Sequence, residues 1–236
     1  MTSWPKLSRL NKMYSLPVYD RPFSYTPPQT PLIIIAENES YILVDKPAGL
    51  LSVPGKTEPD CMESRVKDYC SDALTIHRLD MATSGLMIFA KTKAAQRHLG
   101  LQFEKRQLKK TYLADITGLP SEPSGRVNLP IWTDWPNRPR QMIDFDKGRR
   151  AVTDWTVIQA DITRHKARIS LHPITGRSHQ LRLHMACLGH AILGDRLYAS
   201  DTVYNQSHRL NLHAHALSFR EPDGGAWVTY QADCPF

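Results

Sequence analysis

The sequence predicts an α+β fold whose sheet is mixed but largely antiparallel. Short apolar segments of strand length recur from Pro31 onward, whereas segments with helical periodicity are few. Late in the chain, two such apolar segments flank EPDGG at 221–225, which is typical of a hairpin turn. Strands joined this closely run antiparallel, so the helices are expected to flank the sheet rather than to connect parallel strands.

The strand predictions rest on β-branched, aromatic and aliphatic residues bounded by polar or turn-forming ones. They fall at residues 32–35, 41–44, 86–90, 111–118, 151–160, 167–171, 210–219 and 226–232. Apolar residues recur every four positions between 93 and 108, which predicts a helix there. A second helix is predicted over 178–188, with Gly189 placed to end it.

Length and composition are those of one globular domain. The chain has 236 residues, of which 41% are hydrophobic, and no apolar run reaches the ~18 to 20 residues of a membrane span. A formal charge of +7 favours a polyanionic partner, with nucleic acid the natural candidate. The four cysteines form no CxxC pair, and no signal peptide is recognisable, so reduced thiols in the cytoplasm are expected.

The first thirty residues differ from the rest because prolines and aromatic residues alternate there without a helical or strand period. The sequence therefore predicts an extended, Pro-rich arm over 1–30 that precedes a single domain at 31–236. Packing of the arm on the domain, contact with nucleic acid and disorder all remain open.

The nonapeptide HRLDMATSG at 77–85 contains the strongest candidate for chemistry. Asp80 is preceded by Arg78 and followed by hydroxyl side chains, and Gly85 is expected to allow a tight turn before the next strand. These groups are able to keep a carboxylate ionised and to orient it. A surface turn with an incidental ion pair is the alternative, and the nonapeptide alone does not decide between them.

Several further motifs extend the pattern, and the whole set resembles the RluA family of pseudouridine synthases, in which HRLDxxTSG carries the catalytic aspartate. The other matching segments are DKPAGLLSVPG at 45–55, KKTY at 109–112, PITGRSHQLRLH at 173–184, ILGDRLY at 192–198 and RLNLHAHAL at 209–217. The resemblance covers residues 31–236. It implies the fold of that family, a mixed antiparallel sheet with helices around a central cleft, and a catalytic domain without the S4-type RNA-binding domain of some members.

The resemblance also implies an activity and a set of catalytic residues. Uridine in RNA would be isomerised to pseudouridine, with Asp80 as the single catalytic carboxylate, Arg177 as its guanidinium partner and Tyr112 as a ring that stacks on the uracil. The alternative for Arg177 is a phosphate contact at a helix start, which its motif context disfavours, and Tyr112 without the surrounding KKTY would be interpreted as packing in a strand. Whether Asp80 attacks the sugar or removes a sugar proton is not decided by the sequence.

Four further residues are expected to contact RNA. By resemblance, Arg78 fills the space left when the target base is flipped out of its stack, and Leu181 supports the bound base, with core packing as its alternative. His77 is expected to order the loop beside the RNA. Lys110 belongs to a basic series that either follows the phosphates or solvates loops, made up of Lys109, Lys110, Arg126, Arg138, Arg140, Arg149 and Arg150.

No cofactor and no metal are expected. His179, His184, Cys187 and His190 are close in sequence, but their spacing matches no usual zinc ligand pair. The expected partner is RNA, and no membrane contact is expected. The protein is expected to be a monomer. Within the family, the details of DMATSG, LLSVPG, DWPNRP and PITGRSHQLR are most similar to the member that modifies both 23S rRNA and a tRNA anticodon stem-loop.

Two readings from other functional classes stay open. A non-catalytic RNA-binding protein on the same scaffold would not need Asp80, Tyr112 and Arg177 together. A base-releasing N-glycosylase or nucleoside enzyme would liberate free uracil, and the lack of a second carboxylate within a motif argues against it.

Overall fold

A computed structural model describes residues 7–236 and divides the chain into two compact units. The first unit contains residues 7–22 and Ala114–Asn211, and the second contains Phe23–Leu113 and Leu212–Phe236. Each unit is described by itself below. Over the described part of the chain, no helix has the length and apolarity needed to cross a bilayer.

The described residues form five α-helices and twelve strands. The helices are α1 Leu7–Met13, α2 Met62–Tyr69, α3 Lys93–Glu104, α4 Gln180–Cys187 and α5 Asp201–Tyr204. The strands are β1 Ile33–Glu37, β2 Tyr41–Lys46, β3 Leu74–Thr75, β4 Ser84–Ala90, β5 Lys109–Thr117, β6 Ser124–Asn128, β7 Ile131–Thr133, β8 Gln141–Ile143, β9 Val152–Asp161, β10 Lys166–Pro173, β11 Leu212–Arg220 and β12 Trp227–Gln231.

The sheet of the second unit has β4 at its centre. Its strands follow the order β1, β2, β4 and β11, with β12 beside β11 and β3 beside β4. The described pairs are antiparallel apart from β4 and β11, which run parallel through Ser84↔His213 and Gly85↔Ala214. The prediction of a largely antiparallel sheet is therefore confirmed.

Both faces of this sheet are covered by apolar side chains, which explains why β4 is an uninterrupted apolar run. One face packs Leu43, Ile88 and Phe219 together with Leu99 of α3. The opposite face packs a second cluster against α2, made up of Ile42, Val44, Leu50, Met62, Val66, Ala73, Met87 and Phe89. Because successive side chains of a strand point to opposite faces, a strand covered on both sides needs no polar alternation.

Gly85 does not form the turn that the sequence suggested. It lies inside β4 with φ of +113°, a conformation that L side chains rarely adopt. A Cβ placed there would approach the backbone oxygen of Ala214 in β11 to within 2.4 Å. The expectation of a tight turn at Gly85 is wrong, because its glycine is required for the close parallel pairing of two strands.

The first unit is built on a second group of strands. They follow the order β6, β9 and β10 with β5 next to β10, while β7 and β8 form a separate antiparallel pair. Helix α4 is buried over most of its length, including Leu183 and Met185. A bidentate ion pair joins Arg168 of β10 to Asp115 of β5, at 2.8 and 3.1 Å.

The N-terminal segment is not wholly extended, because Leu7–Met13 form a helix that the sequence analysis did not predict. The following residues, to Leu32, form neither helix nor strand. Within the first unit, the Arg21 guanidinium donates to Asp201 at 2.6 Å and to the Ala199 carbonyl at 2.9 Å. Within the second unit, the Tyr25 hydroxyl donates to the Asp60 carbonyl at 2.7 Å. The middle of the segment is thus hydrogen-bonded to each unit through Arg21 and Tyr25.

Candidate functional site

The loop that carries Asp80, residues 77–83, leads directly into β4. Its position is fixed by Ser52, whose hydroxyl donates to the Leu79 carbonyl at 2.7 Å and accepts from the Leu79 N–H at 3.0 Å. A turn follows at once, closed by the Thr83 N–H donating to the Asp80 carbonyl at 3.0 Å. Asp80 itself is partly exposed between two buried neighbours, Leu79 and Thr83.

A fully buried lysine holds the other side of the loop. The Lys46 ammonium donates to the carbonyls of Pro47, Leu50 and Met81 at 2.9, 2.7 and 3.0 Å, so each of its three protons has an acceptor. The Met81 carbonyl also accepts from the Gly49 N–H at 2.9 Å. Since Met81 follows Asp80 directly, the DKPAGL segment positions the acid. The sequence analysis matched this motif but did not identify Lys46 as the residue that orders the loop.

Tyr112 of β5 is electrostatically coupled to Asp80. Burial raises the pKa of the Tyr112 phenol, and the negative charge of Asp80 raises it further. The phenol therefore stays protonated at physiological pH, and an uncharged aromatic ring is maintained near the carboxylate. The two residues that the sequence named as acid and stacking ring thus lie in the same unit, and the charge of Asp80 acts on the Tyr112 phenol.

His77 is held by the protein core. Its Nε2 accepts a hydrogen bond from the Ile88 N–H at 3.1 Å, and its ring stacks on Phe103 with 4.4 Å between centroids. Burial, with a smaller contribution from the positive charge of Lys110, lowers the pKa of His77 to about 3. The imidazole is neutral, and its hydrogen bond to Ile88 restrains the start of the loop. Contact between His77 and RNA stays a prediction.

Two cations of the second unit have contrasting environments. Burial and the nearby charge of Arg106 lower the pKa of Lys110 to about 8. Arg78 is exposed, and within residues 7–236 its side chain makes neither an ion pair nor a hydrogen bond. Arg78 is therefore available to an incoming anion or base, whereas Lys110 is already partly desolvated.

Arg177 lies in the first unit, in the loop between β10 and α4. Its N–H donates to Gln180 Oε1 at 3.1 Å, and its Nε donates to the Arg150 carbonyl at 3.3 Å. Gln180 fixes this loop because its Oε1 also accepts from the Thr175 hydroxyl at 2.7 Å and its Nε2 donates to the Val152 carbonyl at 2.9 Å. Pairing of Arg177 with Asp80 stays a prediction.

Leu181 follows at the start of α4 and is only 7% exposed. The next residue, Arg182, forms a bidentate ion pair with Asp195 through two contacts of 2.7 Å, and both side chains are buried. Asp195 also accepts from the N–H groups of Leu197 and Tyr198. These contacts show that the PITGRSHQLR and ILGDRLY motifs meet at a structural ion pair, which the sequence analysis did not predict.

The histidines considered as zinc ligands have separate partners. His179 contacts the Tyr198 hydroxyl at 2.9 Å, His184 lies between Thr153 and the Leu129 carbonyl, and His190 contacts the Thr117 carbonyl. Burial lowers the pKa of His184 to about 4. Among residues 7–236, no group of three or more histidine, cysteine or carboxylate side chains is arranged to hold a metal ion.

The residues of the basic series differ in their exposure and in their partners. Arg126 pairs with Asp154 at 2.8 Å, and Arg140 is buried with 4% exposure. Lys109 lies over the Trp227 ring, whereas Arg149 and Arg150 are exposed. The side chains that remain accessible to phosphate are thus fewer than the sequence alone indicated.

The first unit contains an open cavity of about 250 Å³ between the N-terminal segment and the turn that joins β7 to β8. Its lining includes Tyr14, Asp134, Asn137 and Arg140. Within the described chain, the buried Nε of Arg140 has no hydrogen-bond partner. This nitrogen lies 3.9 Å from a carboxylate oxygen of Asp134, as an ion pair.

Residues 40–187 match the sequence model of a family described as RNA pseudouridylate synthase. The dual-specificity RNA pseudouridine synthase RluA of Salmonella typhimurium is 47% identical over 218 residues, covering 90% of this chain and 98% of the relative. RluA of Escherichia coli K12 is also 47% identical, and RluA of Haemophilus influenzae is 46% identical, with the same coverage.

Two solved structures have the same fold. Human RNA pseudouridylate synthase domain containing 1 superposes with a TM-score of 0.73 at 24% identity, covering 92% of this chain and 87% of that one. Human RNA pseudouridylate synthase domain containing 4 gives a TM-score of 0.70 at 22% identity, covering 86% and 88%.

Proposed function

The chain belongs to the RNA pseudouridylate synthase family, and we propose that it isomerises loop uridines in both 23S ribosomal RNA and a tRNA anticodon stem-loop. As a member of that family it is an isomerase. The dual substrate is proposed because the relatives at 46–47% identity are named dual-specificity enzymes. Loop uridines suit such an enzyme because their bases are already partly unstacked.

The reaction rearranges one nucleotide without changing its composition. The C1′–N1 bond breaks, the uracil turns within the site, and C5 bonds to C1′ while the C5 proton leaves and N1 takes up a proton. We assign the ionised carboxylate of Asp80 to the sugar, either as a nucleophile at C1′ or as the base for a ribose proton. Both roles require the acid to be ionised and held still, since the base must return to the same sugar.

The observation that carries this assignment is the fixation of the Asp80 loop on both sides of the acid. Ser52 binds the residue before Asp80, and Lys46 and Gly49 bind the residue after it. A loop restrained in this way limits the freedom of the carboxylate before the substrate arrives. Proximity of this kind supplies much of the rate in reactions without a cofactor.

The remaining groups take roles that fit their surroundings. The neutral ring of Tyr112 near Asp80 offers a face on which the uracil stacks before and after it turns. The exposed guanidinium of Arg78 occupies the gap left by the flipped base and meets phosphates. Arg177, as the bidentate partner of Asp80 in the substrate complex, would keep the acid ionised.

The test uses RNA labelled with tritium at uracil C5, as a 23S rRNA fragment and as a tRNA anticodon stem-loop, with chelator present. Wild-type protein is expected to release tritium from both, whereas Asp80→Asn releases none above background and retains its unfolding temperature. Asp72→Asn, an exposed aspartate of the same unit, is the matched control and should keep full activity. Release by Asp80→Asn at the wild-type rate would refute the role of Asp80. Free uracil as the product would favour an N-glycosylase.

A further inference from the structure

The DWPNRPR segment at 134–140 forms a turn with two exposed side chains, Trp135 and Arg138, that are not needed to hold the turn together. It joins β7 to β8, which pair through Ile131↔Ile143 and Thr133↔Gln141, and it contains the 3₁₀ helix Trp135–Asn137. None of the residues assigned above to the reaction belongs to it. The turn lies in the first unit.

Hydrogen bonds within the turn make it rigid. Asn137 donates to both carboxylate oxygens of Asp134 at 3.0 Å. The Asp134 N–H donates to the Arg140 carbonyl at 3.1 Å, and the Arg140 N–H returns to the Asn137 carbonyl at 3.0 Å.

Contacts at the base of the turn restrain it further. The Arg140 guanidinium donates to the carbonyls of Leu197 and Pro17, and the Gln141 N–H donates to the Tyr198 hydroxyl at 2.8 Å. Among the residues that the structure describes, the side chains of Trp135 and Arg138 contribute no hydrogen bond to this turn.

Those two side chains point to solvent. Trp135 is 60% exposed, and the Arg138 guanidinium carbon lies 5.0 Å from the centroid of its ring. Single exposed apolar residues are common on protein surfaces and need no explanation by themselves. Here, however, the indole is combined with a cation on a rigid turn, and the charge of Asp134 is already engaged by Asn137. Exposed Arg149, whose backbone pairs with Ile131 of β7, adds positive charge to the same strand pair.

We propose that Trp135 and Arg138 form a stacking platform for an unpaired nucleotide of the RNA substrate, distinct from the uridine that reacts. The indole stacks on the base, and the guanidinium meets the adjoining phosphate. Stacking of this kind tolerates any base because every base has a π face, so the platform adds affinity rather than sequence selection. This inference rests on the proposed function only in taking RNA as the ligand.

The experiment compares Trp135→Leu, Trp135→Phe and Arg138→Gln with wild type on the same tritium-labelled stem-loop. Trp135→Leu is expected to raise KM about tenfold or more, within the ~5- to 150-fold range of one base–aromatic stack, and to leave kcat within twofold. Trp135→Phe keeps a ring and should stay within threefold of the wild-type KM. Arg138→Gln should lower the slope of log affinity against log salt by about one.

A direct binding signal separates this inference from the proposed reaction. Quenching of tryptophan fluorescence by RNA should be reduced in Trp135→Phe, and this readout does not depend on turnover. Trp227→Leu is the matched control, since that indole is 42% exposed and also has cations over its ring. A KM within twofold of wild type for Trp135→Leu, an equal loss in Trp227→Leu, or unchanged quenching in Trp135→Phe would overturn the platform. Absence of tritium release from wild type would instead refute the reaction.

Discussion

Replacement of Lys46 by methionine tests whether the Asp80 loop depends on a buried charge. Methionine fills a similar volume but donates no hydrogen bonds, so three acceptors are affected: the carbonyls of Pro47, Leu50 and Met81. The Met81 carbonyl keeps the Gly49 N–H at 2.9 Å, so the main loss falls on the other two. A buried carbonyl left without a donor costs about 1–3 kcal/mol, which gives about 2–6 kcal/mol for the pair.

Part of this loss is offset because an ammonium group no longer has to be removed from water. We therefore expect Lys46→Met to lower the free energy of unfolding by about 2–4 kcal/mol. We also expect kcat to fall at least tenfold, because Met81 is adjacent to Asp80. Urea unfolding measures the first effect, and tritium release from C5-labelled RNA by the folded protein measures the second.

The matched control is Lys67→Met, which removes a 45% exposed lysine paired with Glu63 in the same unit. Its effect on the free energy of unfolding should stay within about 0.5 kcal/mol. If Lys46→Met proves as stable as Lys67→Met, the three carbonyls have found other donors and Lys46 does not stabilise the fold. If kcat is unchanged in a destabilised but folded variant, the Asp80 loop does not need Lys46 as an anchor.

Two further predictions concern buried groups. Asp195→Asn leaves Arg182 charged and buried, so the free energy of unfolding should fall by about 3–5 kcal/mol. Asp154→Asn, which breaks the exposed pair with Arg126, should change the free energy of unfolding little. Equal effects of the two substitutions in urea titrations would contradict this prediction. His77 has a pKa lowered to about 3, against about 6.5 when unfolded, so only the unfolded chain gains this proton between those values. Stability should therefore fall as pH drops from about 6.5 to 3, by up to about 1.4 kcal/mol per pH unit from this residue. His77→Gln should flatten that slope, whereas substitution of the exposed His208 by glutamine should not.

The elements predicted from sequence were those with a strong local pattern. The apolar run of β4 and the four-residue period of α3 were located within a few residues, because burial on both faces or on one face leaves a direct trace in the sequence. Helix α2 was missed because it presents only Met62 and Val66 as buried apolar residues and begins at an unusual N-cap, Cys61. The short strands β6, β7 and β8 have too few residues for a period and depend on partners distant in sequence.

The candidate site, like the fold, was only partly predictable from the sequence. Asp80 and Tyr112 were named as candidates because their motifs are contiguous, and the charge of Asp80 raises the pKa of the Tyr112 phenol. The role of Lys46 could not be predicted, since lysine is almost never fully buried and its acceptors come from two separate loops. Gly85 was misinterpreted for a related reason: its neighbour is Ala214, and no local pattern indicates a residue so far along the chain.

The parallel pairing of β4 with β11 has a consequence for synthesis of the protein. The strand that follows Asp80 is complete once residue 90 has left the ribosome, but its neighbour arrives only with residues 212–220. Until then Ser84 and Gly85 lack their β11 partners for the time taken to translate more than one hundred further codons, whereas β3 can already pair with the far end of β4. Residues 114–211, which form most of the other unit, are contiguous and can fold in the interval. The close approach of Gly85 to Ala214 can therefore form only after nearly the whole chain has been synthesised.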